Sequence, residues 1–157
     1  MKRNILILFS LALLPACLGG GGGSNSGGGN NCAPAAFFVA GTWNSSFLCQ
    51  DDNPSFGCFN GGDVLTVTQD GDDTAPGNNV SFTDNNGGSF TGLLCGTTFL
   101  WNGTAPGITE GGTWEFGDAE HFSKDTSYNR DDGTGGGTCT GDGVQEPLPS
   151  PPLPACP

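Results

Sequence analysis

An all-β domain is the fold this sequence predicts, built as an antiparallel up-and-down barrel of about seven or eight strands, with a β-sandwich as the alternative. Three observations predict it. From Cys32 onward no segment carries apolar residues at helical spacing. Short runs rich in Val, Thr, Phe and Trp alternate with clusters of Gly, Asn, Asp and Pro. Within those runs apolar residues recur at every second position, which puts them on one face of a strand. A thread of such strands exposes unpaired edges unless the sheet closes on itself, so the barrel is favoured.

The elements follow in order. Thr42 to Cys49 is the first strand. Asp63 to Gln69 is the clearest, with Leu65 and Val67 on one face, and the polar run Asp70 to Gly77 turns the chain. Val80 to Thr83 follows and ends at Asn85-Asn86-Gly87-Gly88, a strong hairpin signal. Ser89 to Leu94 returns, Gly96 breaks it, and Thr97 to Trp101 runs on to a turn at Asn102 to Gly107. Ile108 to Phe116 is a strand whose internal Gly111-Gly112 predicts a bulge or bend. Ala119 to Tyr128 is the next, and Thr138 to Thr140 is a short last one. Pro147 to Pro157 is a proline-rich tail. The inner face takes Phe82, Phe90, Leu94, Phe99, Trp101, Trp114 and Phe116, while Thr, Ser and Glu fill much of the outer one.

Gly41-Thr42-Trp43 at the start of the first strand resembles the Gly-x-Trp of the lipocalin and avidin group of meander barrels. Phe82-Thr83-Asp84 is similar to a second lipocalin motif. The resemblance implies a lipocalin-like barrel with Trp43 closing its floor. The basic residue that packs on that tryptophan in the family has only Lys124 and Arg130 as candidates here, and the family's long helix is missing. The resemblance names no ligand.

The amino terminus carries a different message. Met1-Lys2-Arg3 is basic, Ile5 to Leu14 is almost wholly apolar, and Leu14-Pro15-Ala16-Cys17 follows. This order resembles the lipobox of bacterial lipoproteins. The resemblance implies cleavage before Cys17, a diacylglyceryl group on its thiol and an acyl chain such as palmitate on its new amine. The apolar run is too short for a membrane span, which takes about 20 residues. Leu18, where an aspartate would mark retention at the inner membrane, favours the outer membrane. The chain divides into a signal peptide at 1–16, lipidated Cys17 with a flexible Gly/Ser/Asn tether at 17–31, and a β domain at 32–157. The glycine run lacks the lysine, strand and helix of a phosphate-binding loop.

Charge narrows the partners. Lys2 and Arg3 leave with the signal, so Lys124 and Arg130 stand against sixteen acidic residues, a formal charge of −14. Nucleic acid is excluded, because phosphate contacts need a basic face. A polybasic lipid contact is excluded for the same reason, and the membrane partner is reached through the lipid anchor. Of the seven cysteines, Cys17 takes the lipid and Cys32, Cys49, Cys58, Cys95, Cys139 and Cys156 remain, an even set in an exported chain that predicts three disulfides. Six cysteines allow 15 connectivities, among which spacing and position suggest Cys49 with Cys58, Cys32 with Cys156, and Cys95 with Cys139. No paired short spacing suits zinc.

Residue patterns for catalysis are absent from the sequence. It has no Gly-x-Ser-x-Gly elbow, and His121 is its single histidine. Glu110, Glu115 and Glu120 lie near aromatics, but Glu110 and Glu115 have opposite parity, and solvent-facing glutamates are expected. Asp70 to Asp73 and Arg130 to Gly133 offer oxygen ligands to calcium, yet neither completes a calcium-loop pattern and turn chemistry accounts for both. No catalytic residue, metal or cofactor is assigned, and the domain is expected not to be an enzyme. Trp43, Trp101 and Trp114 are candidates to line a ligand cavity or to fill the core. The expected role is an envelope lipoprotein whose barrel binds a small apolar or glycan ligand or a protein partner. The alternative is a structural or interaction lipoprotein with a solid-packed barrel.

Overall fold

The computed structural model describes residues 32–157. The expected signal peptide, the expected lipidation site at Cys17 and the expected tether lie outside the described residues. Eight strands follow one another: β1 (Gly41–Asp51), β2 (Cys58–Asp72), β3 (Ala75–Asp84), β4 (Ser89–Cys95), β5 (Thr98–Ala105), β6 (Ile108–Phe116), β7 (His121–Arg130) and β8 (Gly136–Gln145). Each pairs antiparallel with the next, and β8 pairs with β1 to close the barrel. This is the up-and-down barrel, not the sandwich. Closure leaves no edge strand, which removes the hazard that eight Thr-rich strands would otherwise present.

Several strands run longer than expected, β8 most of all, at Gly136–Gln145 against Thr138–Thr140. β2 and β3 extend into the Asp70–Gly77 region, where a register shift between Gln69 and Gly71 takes up the twist. β5 continues to Ala105, so that hairpin turns only at Pro106-Gly107. The bulge expected at Gly111-Gly112 is absent, because the registers of β6 with β5 and β7 run unbroken. Gly112 serves packing instead. It and Gly92 face Trp101 from the two flanking strands, and a Cβ on Gly112 would come within 2.3 Å of the Asp125 carbonyl oxygen. Phe47 sits likewise between Gly61 and Gly141. Small residues opposite large ones let bulky rings fit inside a narrow barrel.

The interior has two halves. One is solid: Trp43, Phe82, Phe90, Phe99, Trp101, Trp114, Phe116 and Phe122 form a continuous aromatic cluster. Trp114 stacks on Phe122 with centroids 4.3 Å apart, and Phe82 on Phe90 at 4.6 Å. The chain before β1 seals this end. Val39, fully buried, lies against the cluster, and its carbonyl accepts a 2.9 Å hydrogen bond from Trp43 Nε1. The Gln69 side chain pins the same segment, accepting from Val39 N at 2.7 Å and donating to the Phe37 carbonyl at 3.2 Å. Trp43 thus lies at a closed end. Phe116 and Phe122 pack on it with centroids at 5.6 and 5.3 Å. Neither basic candidate does: Lys124 lies over Phe47 and Arg130 over Phe56.

All six domain cysteines are bonded, as Cys32–Cys95, Cys49–Cys139 and Cys58–Cys156. The pairing expected from spacing is corrected, and strand parity is the reason. Cys49 opposes Phe59, so its neighbour Cys58 points out of the barrel while Cys49 points in. Cys139 lies directly across β8 from Cys49 on the inner face. Cys95 falls one residue after inward Leu94 and points out, where Cys32 reaches it. The tail after β8 returns along the outside of the barrel, where Asn60 Nδ2 donates to the Pro154 carbonyl and Cys156 meets Cys58.

Candidate functional site

Opposite the sealed floor the barrel is hollow. A cavity of about 360 Å³ opens at the end where β1, β3, β5 and β7 finish, within the size range of small-molecule sites. Its apolar wall is Phe47, Phe59, Ile108 and Tyr128, together with the Cys49–Cys139 bridge. Its polar lining comes from the same inward parity: Asp63 of β2, Asp84 of β3, Glu110 of β6 and Lys124 of β7. Asp63 lies two residues before Leu65, Asp84 two after Phe82, and Lys124 two after Phe122, so each continues an inward apolar row into the hollow half.

Lys124 projects into the barrel with its Nζ 4.7 Å from the Phe47 ring centroid. It makes no ion pair among the described residues. Burial pushes its ammonium pKa down, against the pull of Asp63, Glu110 and Asp84. Burial likewise pushes the Asp63 and Glu110 carboxyls up. Asn86, in the β3–β4 turn, donates from Nδ2 to Asp63 at 2.8 Å. Asp84 accepts from the backbone N–H of Asn86 at 2.8 Å and of Gly88 at 2.7 Å, so the turn that closes the hairpin also aims its carboxylate.

A second charged group stands at the rim. The Asp51 side chain is wholly shielded, and its Oδ2 accepts from Arg130 Nη2 at 2.5 Å and from the Tyr128 hydroxyl. Its Oδ1 accepts from Asn53 N at 2.7 Å. The Arg130 bond leads in holding the Asp51 carboxyl down at about 2. Burial, then the Asp51 bond, pushes the Tyr128 hydroxyl up to about 12. Arg130 also lies 4.1 Å from the ring centroid of Phe56, which stands half-exposed in the β1–β2 loop. The pair is self-satisfied apart from Arg130 Nη1, which is buried without a partner. Ser45 Oγ is also buried and unpartnered on the inner face, whereas the Thr126 hydroxyl lies beside Glu110 and draws its carboxyl down against the larger push of burial.

Of the two roles open to the tryptophans, they take the core. Trp43, Trp101 and Trp114 are all buried in the solid half, and none lines the opening. The reason is size: the three indoles fill the narrow interior, Trp101 between Gly92 and Gly112 of the flanking strands. Glu110 is corrected, from a solvent-facing glutamate to an inward one. Glu115 does face outward, accepting from Thr98 Oγ1 at 3.0 Å. His121 pairs with Asp118 at 2.9 Å on the surface, away from the cavity. The acidic turns cap themselves: Asp72 accepts from Thr74 N at 2.9 Å and Ala75 N at 3.0 Å, and Asp132 from Thr134 N at 2.9 Å. Among the described residues no cluster of metal-ligating side chains forms.

Fold and cavity together define a class: an eight-stranded lipocalin-like meander barrel, closed at one end and open at the other. No protein-family model matches the chain, and none of the curated proteins matches it. Among solved structures it is similar to an S-type phycobiliprotein lyase, CPES, from Guillardia theta. The TM-score is 0.43 at 11% sequence identity, over 70% of this chain and 89% of that one. The likeness extends to the fold alone. The expectation that the domain is not an enzyme is corrected: a fold does not decide chemistry, so the lack of a Ser-His-Asp pattern is no ground for excluding catalysis.

Proposed function

We propose that this protein is a lipid-anchored envelope protein of the outer membrane whose barrel holds a small ligand in its open mouth. One observation carries the binding reading: the interior is filled with aromatic rings at the sealed end and left hollow at the other. A barrel built only as a rigid spacer has no need of inward carboxylates and an unpaired lysine, since buried charge without a partner is costly. The ligand's apolar body rests on Phe47, Phe59 and Tyr128. The anchor reading rests on the Leu14-Pro15-Ala16-Cys17 sequence alone.

Fluorescence titration with the neutral dye N-phenyl-1-naphthylamine tests the mouth. Saturable binding at one site, lost in Phe47→Asp, supports the reading, and absence of saturable binding overturns it. For the anchor, Cys17→Ser moves the protein from the membrane fraction to the soluble one or leaves it unprocessed. Recovery of a mature, unlipidated wild-type chain by mass spectrometry overturns that part.

A further inference from the structure

We infer that Lys124 captures a small apolar aldehyde in the mouth of the barrel, as an imine on its side-chain nitrogen. The inference deepens the ligand reading above and rests on the mouth being a ligand site. Position comes first. Lys124 opposes Trp114 on β6 and Gly141 on β8. It therefore stands where the aromatic packing stops and the hollow begins. Gly141 also opposes Phe47 on β1, and a Cβ there would come within 2.9 Å of the Phe47 Cα. That bare position leaves the lysine free to reach across β8, where its Nζ lies 4.7 Å from the Phe47 ring centroid.

The second observation is that this nitrogen is unpaired. Lys124 is the one lysine from Cys32 to Pro157, and the sheet turns it inward, where an ammonium is costly. It makes no ion pair among the described residues. A structural lysine in a barrel interior needs a partner at contact distance, and none is supplied. Burial pushes its ammonium pKa down, against the pull of Asp63, Glu110 and Asp84. A desolvated lysine in an apolar pocket is the form in which this side chain acts as a nucleophile.

The step balances without any further reagent. The amine lone pair attacks the carbonyl carbon, and the C=O pair moves onto oxygen. The carbinolamine then breaks its C–O bond as the C=N bond forms. Both amine protons end on that oxygen, which leaves as water. Asp63 and Glu110, whose carboxyls burial pushes up, share the cavity and can accept and return those protons. Once protonated from solvent, the imine keeps a positive charge facing Asp63, Asp84 and Glu110. Other ligand classes fit less well. A carboxylate or phosphate meets three inward carboxylates against one ammonium, and a cation gains nothing from Lys124. A neutral aldehyde brings no charge, and Phe47, Phe59 and Ile108 suit its apolar body.

Reductive trapping on the full chain tests this, with benzaldehyde as the probe and cyanoborohydride supplying hydride to the C=N bond. Nα-acetyl-lysine methylamide in the same mixture is the reference amine. Intact mass and peptide mapping should show an N-benzyl group on Lys124, formed at least about tenfold faster than on the reference at neutral pH. Saturating N-phenyl-1-naphthylamine should suppress it. Lys124→Arg, which keeps the charge but cannot form the imine, should give no adduct at that position. Mapping of the wild type places the adduct whether or not the variant folds. A rate at or below that of the reference, no adduct on Lys124, or trapping unmoved by bound dye overturns the inference. Where the dye binds and Lys124 does not react, the mouth remains a ligand site and only the imine falls. Where the dye does not bind, the ligand reading falls as well.

Discussion

Trp43→Ala removes the keystone of the sealed end, and its effect can be worked from the structure. The indole is fully buried, so the substitution takes about 200 Å² out of the core, worth roughly 5 kcal/mol at about 25 cal/mol per Å². The retained Cβ and partial collapse of the site reduce this. The residual hole raises it again, because Phe116, Phe122 and Val39 are held by the β6–β7 hairpin and the floor segment and cannot all move in. The Val39 carbonyl also loses its donor, at about 1 kcal/mol. A loss of about 4 kcal/mol is expected, in line with aromatic-to-alanine substitutions in other cores. For a domain of this size that lowers Tm by roughly 15 °C. Far-UV circular dichroism melting, with disulfides intact, measures it. Trp43→Phe separates volume from the hydrogen bond and should lose only about 1–2 kcal/mol. Melting of Trp43→Ala within about 2 °C of wild type would refute the reasoning. It would mean that the floor segment does not depend on the indole.

Three further outcomes follow from the same geometry. Removing the bridge between β1 and β8 by Cys49→Ala with Cys139→Ala opens a loop with a sequence separation of 90 and should cost about 2–4 kcal/mol in denaturant unfolding; an unchanged midpoint would count against a closed seam. Asp51 has a depressed carboxyl, at about 2 against an ordinary 3.8, so its stabilisation is complete above the ordinary value and fades as pH falls through the folded one. Stability curves of wild type and Asp51→Asn should therefore lie apart at neutral pH and converge toward pH 2, and parallel curves would contradict the ion pair. Gly112→Ala forces a Cβ to within 2.3 Å of a backbone oxygen and should destabilise strongly, whereas Gly107→Ala, with open space around it, should cost less than Gly112→Ala despite its positive φ.

Strand phase was legible because it is a local property. Leu65 with Val67, Phe82 with Val80 and Trp114 with Phe116 mark the inner face without reference to any partner. The candidate site was not legible, for the opposite reason. Asp63, Asp84, Glu110 and Lys124 read singly as solvated charges, and only the closed sheet shows that their rows run inward. The signal was present in their parity: Lys124 shares it with Phe122 and Tyr128, and Glu110 with Trp114 and Phe116. Strand ends are where inward rows leave a packed core, so charge at inward parity there marks a cavity. Disulfide pairing failed for a related reason. Nearness in sequence puts Cys49 and Cys58 on facing strands but not on the same face. The tryptophans left two roles open because large aromatic residues serve both walls and cores, and the glycines opposite Trp101 decide for the core.

The Cys49–Cys139 bond turns the cavity wall into a chemical reporter. Both sulfur-bearing residues are buried, and both line the hollow. A small thiol reductant therefore reaches that bond by the route a ligand would take, while Cys58–Cys156 on the outside and Cys32–Cys95 at the sealed end are approached from elsewhere. Occupancy of the mouth should slow the reduction of one bridge and leave the other two at their own rates. The protein thus carries a built-in footprint, in which the order of thiol appearance records whether the chamber is filled.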